Sequence, residues 1–338
     1  MKTYSLLLIF FLFAFAVFNI PAQVSDSDFL ELIDPDEIEE FYINEEETHL
    51  ILKLFDEENI FRTIVKAGGI EVPDTDYAQG MIRKYTAQYL TSGGSKFLCA
   101  SLSEGENYRL YVRSELKKRN MPAALEYLPM VESEYKINAR SRSGALGMWQ
   151  FMENSIAPFM KKNEWVDERL DPWLSTKAAL SKLQDNYRVF KDWPLAIAAY
   201  NCGAGAMRRI LESAEEKSFW YIAENGLLRD ESVNYIPKLL AITAIAEHPE
   251  RYDLIFPDAD ERIRYDSFDY VEVADSVHLD WLAMELRLDF DTLKKLNNSL
   301  IRNQTPPKET YRIRLPEGLG QTAEEILYFD CKFAEIER

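Results

Sequence analysis

Glu132 closes an apolar, helix-like run, AALEYLPMV, and opens the stretch ESEYKINARSRSGALGMWQ that ends at Gln150. Glu132 and Glu134 are the acids nearest the turn. A polar, basic loop follows over residues 136–143. Gly144 and Gly147 then allow the backbone to come close to a neighbour. Met148, Trp149 and Gln150 set a soft, a flat and an amide group beside that opening. One acid at a helix end, facing a glycine-lined wall with a ring and an amide, suits a sugar-binding cleft that holds a general acid. A lone Glu-Ser pair would read as an amphipathic helix with a solvated acid and a glycine turn. The whole stretch favours the cleft.

The elements that must hold these residues are helices. YAQGMIRKYTAQYL and NYRLYVRSELKKRN carry apolar residues at helical spacing and should pack around the run that leads to Glu132. Asp171-Pro172 reads as an N-cap with proline at the first helical position. Asp192-Trp193-Pro194 starts a second, nearly all-apolar helix, LAIAAY, broken at Asn201-Cys202-Gly203-Ala204-Gly205. Asn234-Tyr235-Ile236-Pro237-Lys238 leads into LLAITAIAEH, a buried helix. Residues 76–250 therefore read as one α-helical globule. Beyond Pro249 the pattern changes: 266–274 and 310–316 read as strands around two short helices, a small β-α-α-β module over residues 251–320, with an amphipathic tail over 321–338.

The chain has 338 residues, 47% of them apolar, enough for two domains with a sizeable core. A formal net charge of -18 argues against a nucleic-acid partner. Residues 1–22 read as a secretory signal peptide, with Lys2 as the basic start, Leu6–Phe18 as a short apolar run and cleavage near Ala22. An uncleaved anchor is the alternative. No further stretch has the length and apolarity of a membrane span, so the mature chain is expected in the periplasm or cell envelope. Residues 23–75 form an acidic N-terminal segment, read as a solvated linker. Three cysteines and three histidines, with no CxxC, offer no disulfide framework and no metal site, and the pattern calls for no cofactor.

Four blocks, in order, resemble the lytic transglycosylases of the lysozyme-like superfamily, and within them the membrane-bound lytic transglycosylase D group. They are Glu132-Ser133 with Ala139, Ser141 and the run from Gly144 to Met152; Asp171-Pro172 with Ser175, Ala178 and Ala179; Ala198-Ala199-Tyr200-Asn201 with Gly203 and Gly205; and Asn234-Tyr235-Ile236-Pro237-Lys238. The sequence departs from the family where Met152 is followed by Glu153-Asn154-Ser155 and where Cys202 follows Asn201. The C-terminal module resembles a degenerate LysM, the small glycan-binding domain, with Ala274-Asp275 in place of the usual Gly-Asp. The resemblance implies a mainly α, goose-type SLT fold with a LysM-like module.

It also implies a chemistry. Glu132 would act alone, protonating the bond between N-acetylmuramic acid and N-acetylglucosamine and then deprotonating the C6 hydroxyl, which closes on C1. Tyr235 would orient Glu132, or serve as a core tyrosine. Gln150 and Asn201 would bind N-acetyl or hydroxyl groups, with helix capping as the other role for Asn201. Ser141 and Ser143 would line the cleft, Ser143 equally fitting a turn. Met148 would wall the pocket, and Tyr200 would touch a saccharide or pack in the core. The expected partner is the peptidoglycan glycan strand; no protein partner is indicated. Two alternatives stand beside this reading. One is a water-using muramidase of the same fold with Asp171 or Glu153 as a second acid. The other is a peptidoglycan-binding protein with an idle site.

Overall fold

The structure, a computed structural model, describes residues 64–256 and 267–336, with only the backbone described for 329–336. The chain divides into two units after Thr63. The expected signal peptide and most of the acidic segment belong to the first unit and lie outside the described residues.

The second unit begins with a hairpin, β1 (Lys66–Ala67) and β2 (Ile70–Glu71), turned at Gly68-Gly69. Gly68 has φ +52°, and a Cβ there would lie 2.4 Å from the Ala124 amide nitrogen. Its own amide donates to Glu247 Oε2 at 3.1 Å. Ala67, Ile70 and Val72 are buried. These contacts draw residues 64–75 onto the helical body, so the acidic lead-in expected to reach residue 75 stops earlier.

The body follows as α1 (Asp76–Leu90), α2 (Ser92–Arg119), a 3-10 turn (Ala123–Tyr127), α3 (Leu128–Ser133), α4 (Pro172–Phe190), α5 (Trp193–Cys202), α6 (Ala204–Ser213), α7 (Phe219–Glu224) and α8 (Asp230–Glu247). Helix α2 starts well before the expected Asn107. Thr91 caps it by accepting from the Gly94 amide at 3.1 Å. A Cβ on Gly94 would lie 2.2 Å from the Gln88 carbonyl, so glycine there lets α1 and α2 meet in a tight corner. Asp171 and Asp192 cap α4 and α5 as expected. Helix α5 is buried from Pro194 to Tyr200 and is packed by α4, α6 and α8. Helix α8 begins earlier than the expected LLAITAIAEH and carries Pro237 in its interior. Proline there removes one backbone donor, and the helix continues because its far half is held by burial.

After residue 266, β3 (Asp269–Val273) pairs antiparallel with β4 (Tyr311–Leu315), Val271 opposite Ile313. Between them lie α9 (Leu279–Glu285) and α10 (Phe290–Leu296). Helix α11 (Gly320–Ile336) packs on β3, and its Ala323 is fully buried in the module's core. The segment expected as a separate tail is therefore part of the module, because its apolar face covers the strands. The body contributes Val166 to that same core. Across the junction Arg314 on β4 pairs with the N-cap Asp171 of α4, and Asn298 donates to Asn138 Oδ1 at 2.8 Å and the Leu170 carbonyl at 2.9 Å.

Among the described residues no helix is long and apolar enough to cross a membrane, and Cys99 and Cys202 are unpaired thiols.

Candidate active site

Glu132 is the penultimate residue of α3. The helix cannot run on, because Glu134 and Tyr135 both turn to positive φ, 57° and 59°. Tyr135 is fully buried and donates from its hydroxyl to the Glu126 carbonyl at 2.9 Å. Its ring lies where a Cβ on Gly105 of α2 would sit, 2.7 Å away. Beneath it Arg109 bonds Glu126 and Glu106 in a buried cluster. Helix α3 thus ends on a fixed floor with Glu132 facing α8.

The glycine loop comes next. Ser133 donates to the Met148 carbonyl at 2.8 Å, tying the helix end to the loop. Gly147 has φ +81°, and a Cβ on it would lie 1.9 Å from the Arg169 carbonyl. Only glycine fits that approach. Trp149 is fully buried and donates to Thr176 Oγ1 on α4 at 2.9 Å. Gln150, at φ 47°, donates to the Ala139 and Gly147 carbonyls at 3.1 and 2.8 Å, so its amide nitrogen holds the loop together.

Tyr235 on α8 donates a short hydrogen bond to Glu132 Oε1. The two residues are 103 positions apart in sequence. Burial pushes the Glu132 carboxyl up to about 7, the Tyr235 bond opposes the rise, Glu231 adds to it, and Lys182 opposes it. Burial and the neighbouring Glu132 raise the Tyr235 hydroxyl well above its ordinary range. A carboxyl that keeps its proton near neutrality and sits on a hydroxyl anchor has the properties of a general acid.

The other expected site residues take different places. Tyr200 is buried, donates to the Trp149 carbonyl at 2.8 Å and meets Phe151 edge to face, so it packs behind the loop. Met148 is 1% exposed, which leaves its side chain as a wall and closes it to direct contact with a ligand. Asn201 accepts from Ser232 of α8 at 2.7 Å, joining α5 to α8. Ser141 and Ser143 lie on the outer loop with their hydroxyls 2.9 Å apart, and Ser141 also accepts from the Ala145 amide. Glu134 pairs with Lys136 at the surface.

Two residues near Glu132 were not singled out from sequence. Glu231 and Lys182 both act on Glu132 through space. Lys182 had a readable signal: it falls on the inward stripe of α4 with Ser175, Ala179 and Asn186. A cavity of about 660 Å³ opens at the junction with the C-terminal module, lined by Tyr111, Trp173, Tyr270 and Arg312 among others, and none of the residues around Glu132 lines it. Among the described residues no cluster of His, Cys, Asp or Glu is arranged to hold a metal.

The transglycosylase SLT domain family matches residues 110–223. The chain carries an SLT domain. A LysM-like domain of the lytic transglycosylase MltD type follows it over residues 267–327. The SLT match includes Glu132, the glycine loop and Asn201, and stops before Tyr235, which the fold returns to the site on α8. The membrane-bound lytic murein transglycosylase D of Escherichia coli K12 is 33% identical over 196 residues, 56% of this chain and 41% of that protein. The protein of the same name from Escherichia coli O6:H1 gives the same figures. The chain thus spans about two fifths of these curated relatives. Among solved structures, an inactive mutant of lytic transglycosylase Slt from Pseudomonas aeruginosa is 23% identical, covers 56% of this chain and 31% of that one, and has a TM-score of 0.39.

Proposed function

We propose that this SLT-domain protein is a peptidoglycan lytic transglycosylase with Glu132 as its single acid and base. The observation that carries the reading is the desolvated Glu132 carboxyl, raised to about 7 and held by Tyr235. Protonated Glu132 gives its proton to the oxygen linking N-acetylmuramic acid to N-acetylglucosamine, and the bond from C1 to that oxygen breaks. The sugar's 2-acetamido group steadies the positive charge left on C1. The Glu132 carboxylate then takes the proton of the C6 hydroxyl as its oxygen bonds to C1. The muramoyl end becomes a 1,6-anhydro sugar, no water is consumed, and the acid is regenerated.

In this reading Ser141, Ser143, Gln150 and Asn201 line the strand's path, while Met148 and Tyr200 act from behind the surface. Residues 76–250 form the catalytic domain, and the module beyond it docks on that domain. Residues 1–22 direct export, which puts the enzyme in the cell envelope with its substrate.

The water-using alternative needs a second carboxylate. Asp171 is buried, caps α4 and pairs with Arg314; Glu153 pairs with Lys162 at 2.5 Å at the surface. Glu231, which does act on Glu132, is the acid that would serve. Incubating the chain with purified peptidoglycan, followed by mass spectrometry, separates the readings. Fragments one water lighter and resistant to borohydride, absent with Glu132→Gln, are the expected outcome. Reducing ends would indicate the muramidase. A Glu132→Gln variant with most of the activity would overturn the role of Glu132.

A further inference from the structure

Helix α4 turns one stripe inward: Ser175 and Ala179 are fully buried, Asn186 nearly so, and Lys182 shares their face. The Lys182 amine lies 5.0 Å from the centre of the Tyr200 ring and 5.3 Å from that of Phe151. Neither ring is free to move away, since Tyr200 is bonded to the Trp149 carbonyl and the Phe151 backbone pairs with Leu146. Among the described residues no carboxylate comes within ion-pair distance of this amine. Burial lowers the amine below its ordinary range, and Glu132 is the charge that acts the other way. A leucine or methionine would cover the same two rings without stripping a cation of water. Packing alone therefore gives no reason for lysine.

The groups that face Glu132 come from three elements. Tyr235 and Glu231 belong to α8, Lys182 to α4, and Tyr200 of α5 feels the carboxylate as well. Burial and Glu231 keep the proton on; Tyr235 and Lys182 draw it off. An acid that must give its proton away and then recover one from a hydroxyl needs both tendencies in balance.

We propose that Lys182 is a positioning residue whose amine, fixed against Phe151 and Tyr200, sets the field at Glu132 and steadies the carboxylate left after proton transfer. The role rests on Glu132 being the acid of the proposed reaction. Lys182 touches Glu132 only through space, so it tunes that acid without contacting the sugar.

The test uses the full chain with its glutamate side-chain carboxyls ¹³C-labelled, the Glu132 signal being assigned by its loss in Glu132→Gln. Lys182→Met keeps the aliphatic stem on the rings and removes the charge; Lys182→Gln does so with a polar end, and serves if the first fails to fold. Lys182→Arg keeps the charge. In the neutral variants the Glu132 titration is expected to move upward by roughly half to one pH unit. The alkaline limb of fragment release should move up with it. Lys182→Arg should restore both. An unmoved titration in the neutral variants, or an equal shift in Lys182→Arg, overturns the proposal, since a packing role would not distinguish charge. The titration is read without activity. If wild type releases no anhydro fragments, the proposed reaction fails while the role of Lys182 is still decided.

Discussion

Holding the half-buried Glu132 against Tyr235 weakens the fold wherever that carboxyl is ionised. Its ordinary value is 4.5, and burial lifts it to about 7. Between those limits the folded chain holds a proton that the unfolded chain has lost, so stability falls as pH rises through the window. Below pH 4.5 both states are protonated and the effect vanishes. Glu132→Gln is therefore expected to gain about 2–3 kcal/mol on wild type at pH 8 relative to pH 4. Urea denaturation at the two pH values measures this, and an equal difference at both would mean that the carboxyl is not desolvated. At this scale the sequence was legible in one pairing: Glu132 and Tyr235, named from separate blocks, meet in a hydrogen bond. It was coarser where only residue type was available: Met148 reads as a pocket wall, and the fold buries it so fully that only its bulk faces the site. Lys182 went unread because a charged residue on a helix is ordinarily solvated, although it shares the inward stripe of Ser175, Ala179 and Asn186.

Elements place the acid through two glycines with different work. Gly105 lies inside α2, where glycine is costly, and it is there because the Tyr135 ring occupies the space of a Cβ. Gly105→Ala should destabilise by roughly 1–3 kcal/mol, through overpacking that outweighs the better helix propensity. Thermal melting would show it, and a neutral or stabilised variant would mean that the ring can step aside. Gly147→Ala meets backbone, not a side chain, so the loop itself must shift; a loss of activity larger than the loss of stability is expected, read from kcat beside the melting temperature. Among elements, the caps of α4 and α5 were plain in Asp-Pro and Asp-Trp-Pro, since capping is local chemistry. The hairpin at Gly68-Gly69 and the early start of α2 were not, because two-residue strands and a Ser-Gly-Gly helix start make sense only against the partners they touch.

Over the whole unit, the body and the C-terminal module share buried charge. Arg314 and Asp171 stand 143 residues apart, a pairing that no local pattern announces. Asp171 is 1% exposed, so Arg314→Met would strand it; the expected loss is roughly 3–5 kcal/mol. Calorimetry should show one transition for body and module in the wild type, and two separate transitions would mean that the junction is loosely held. The same junction reaches the acid by another route. The Asp167 amide bonds the Ser299 carbonyl of the module at 2.9 Å, the Arg169 carbonyl backs Gly147, and the Arg169 side chain bonds Asp167 and reaches the Phe151 carbonyl. The module thus buttresses the glycine loop, whether or not it ever grips a sugar. Shortening the chain to its SLT match would take that buttress away, and the silence of such a fragment in an assay would look like lost attachment to the cell wall when it was a fallen scaffold.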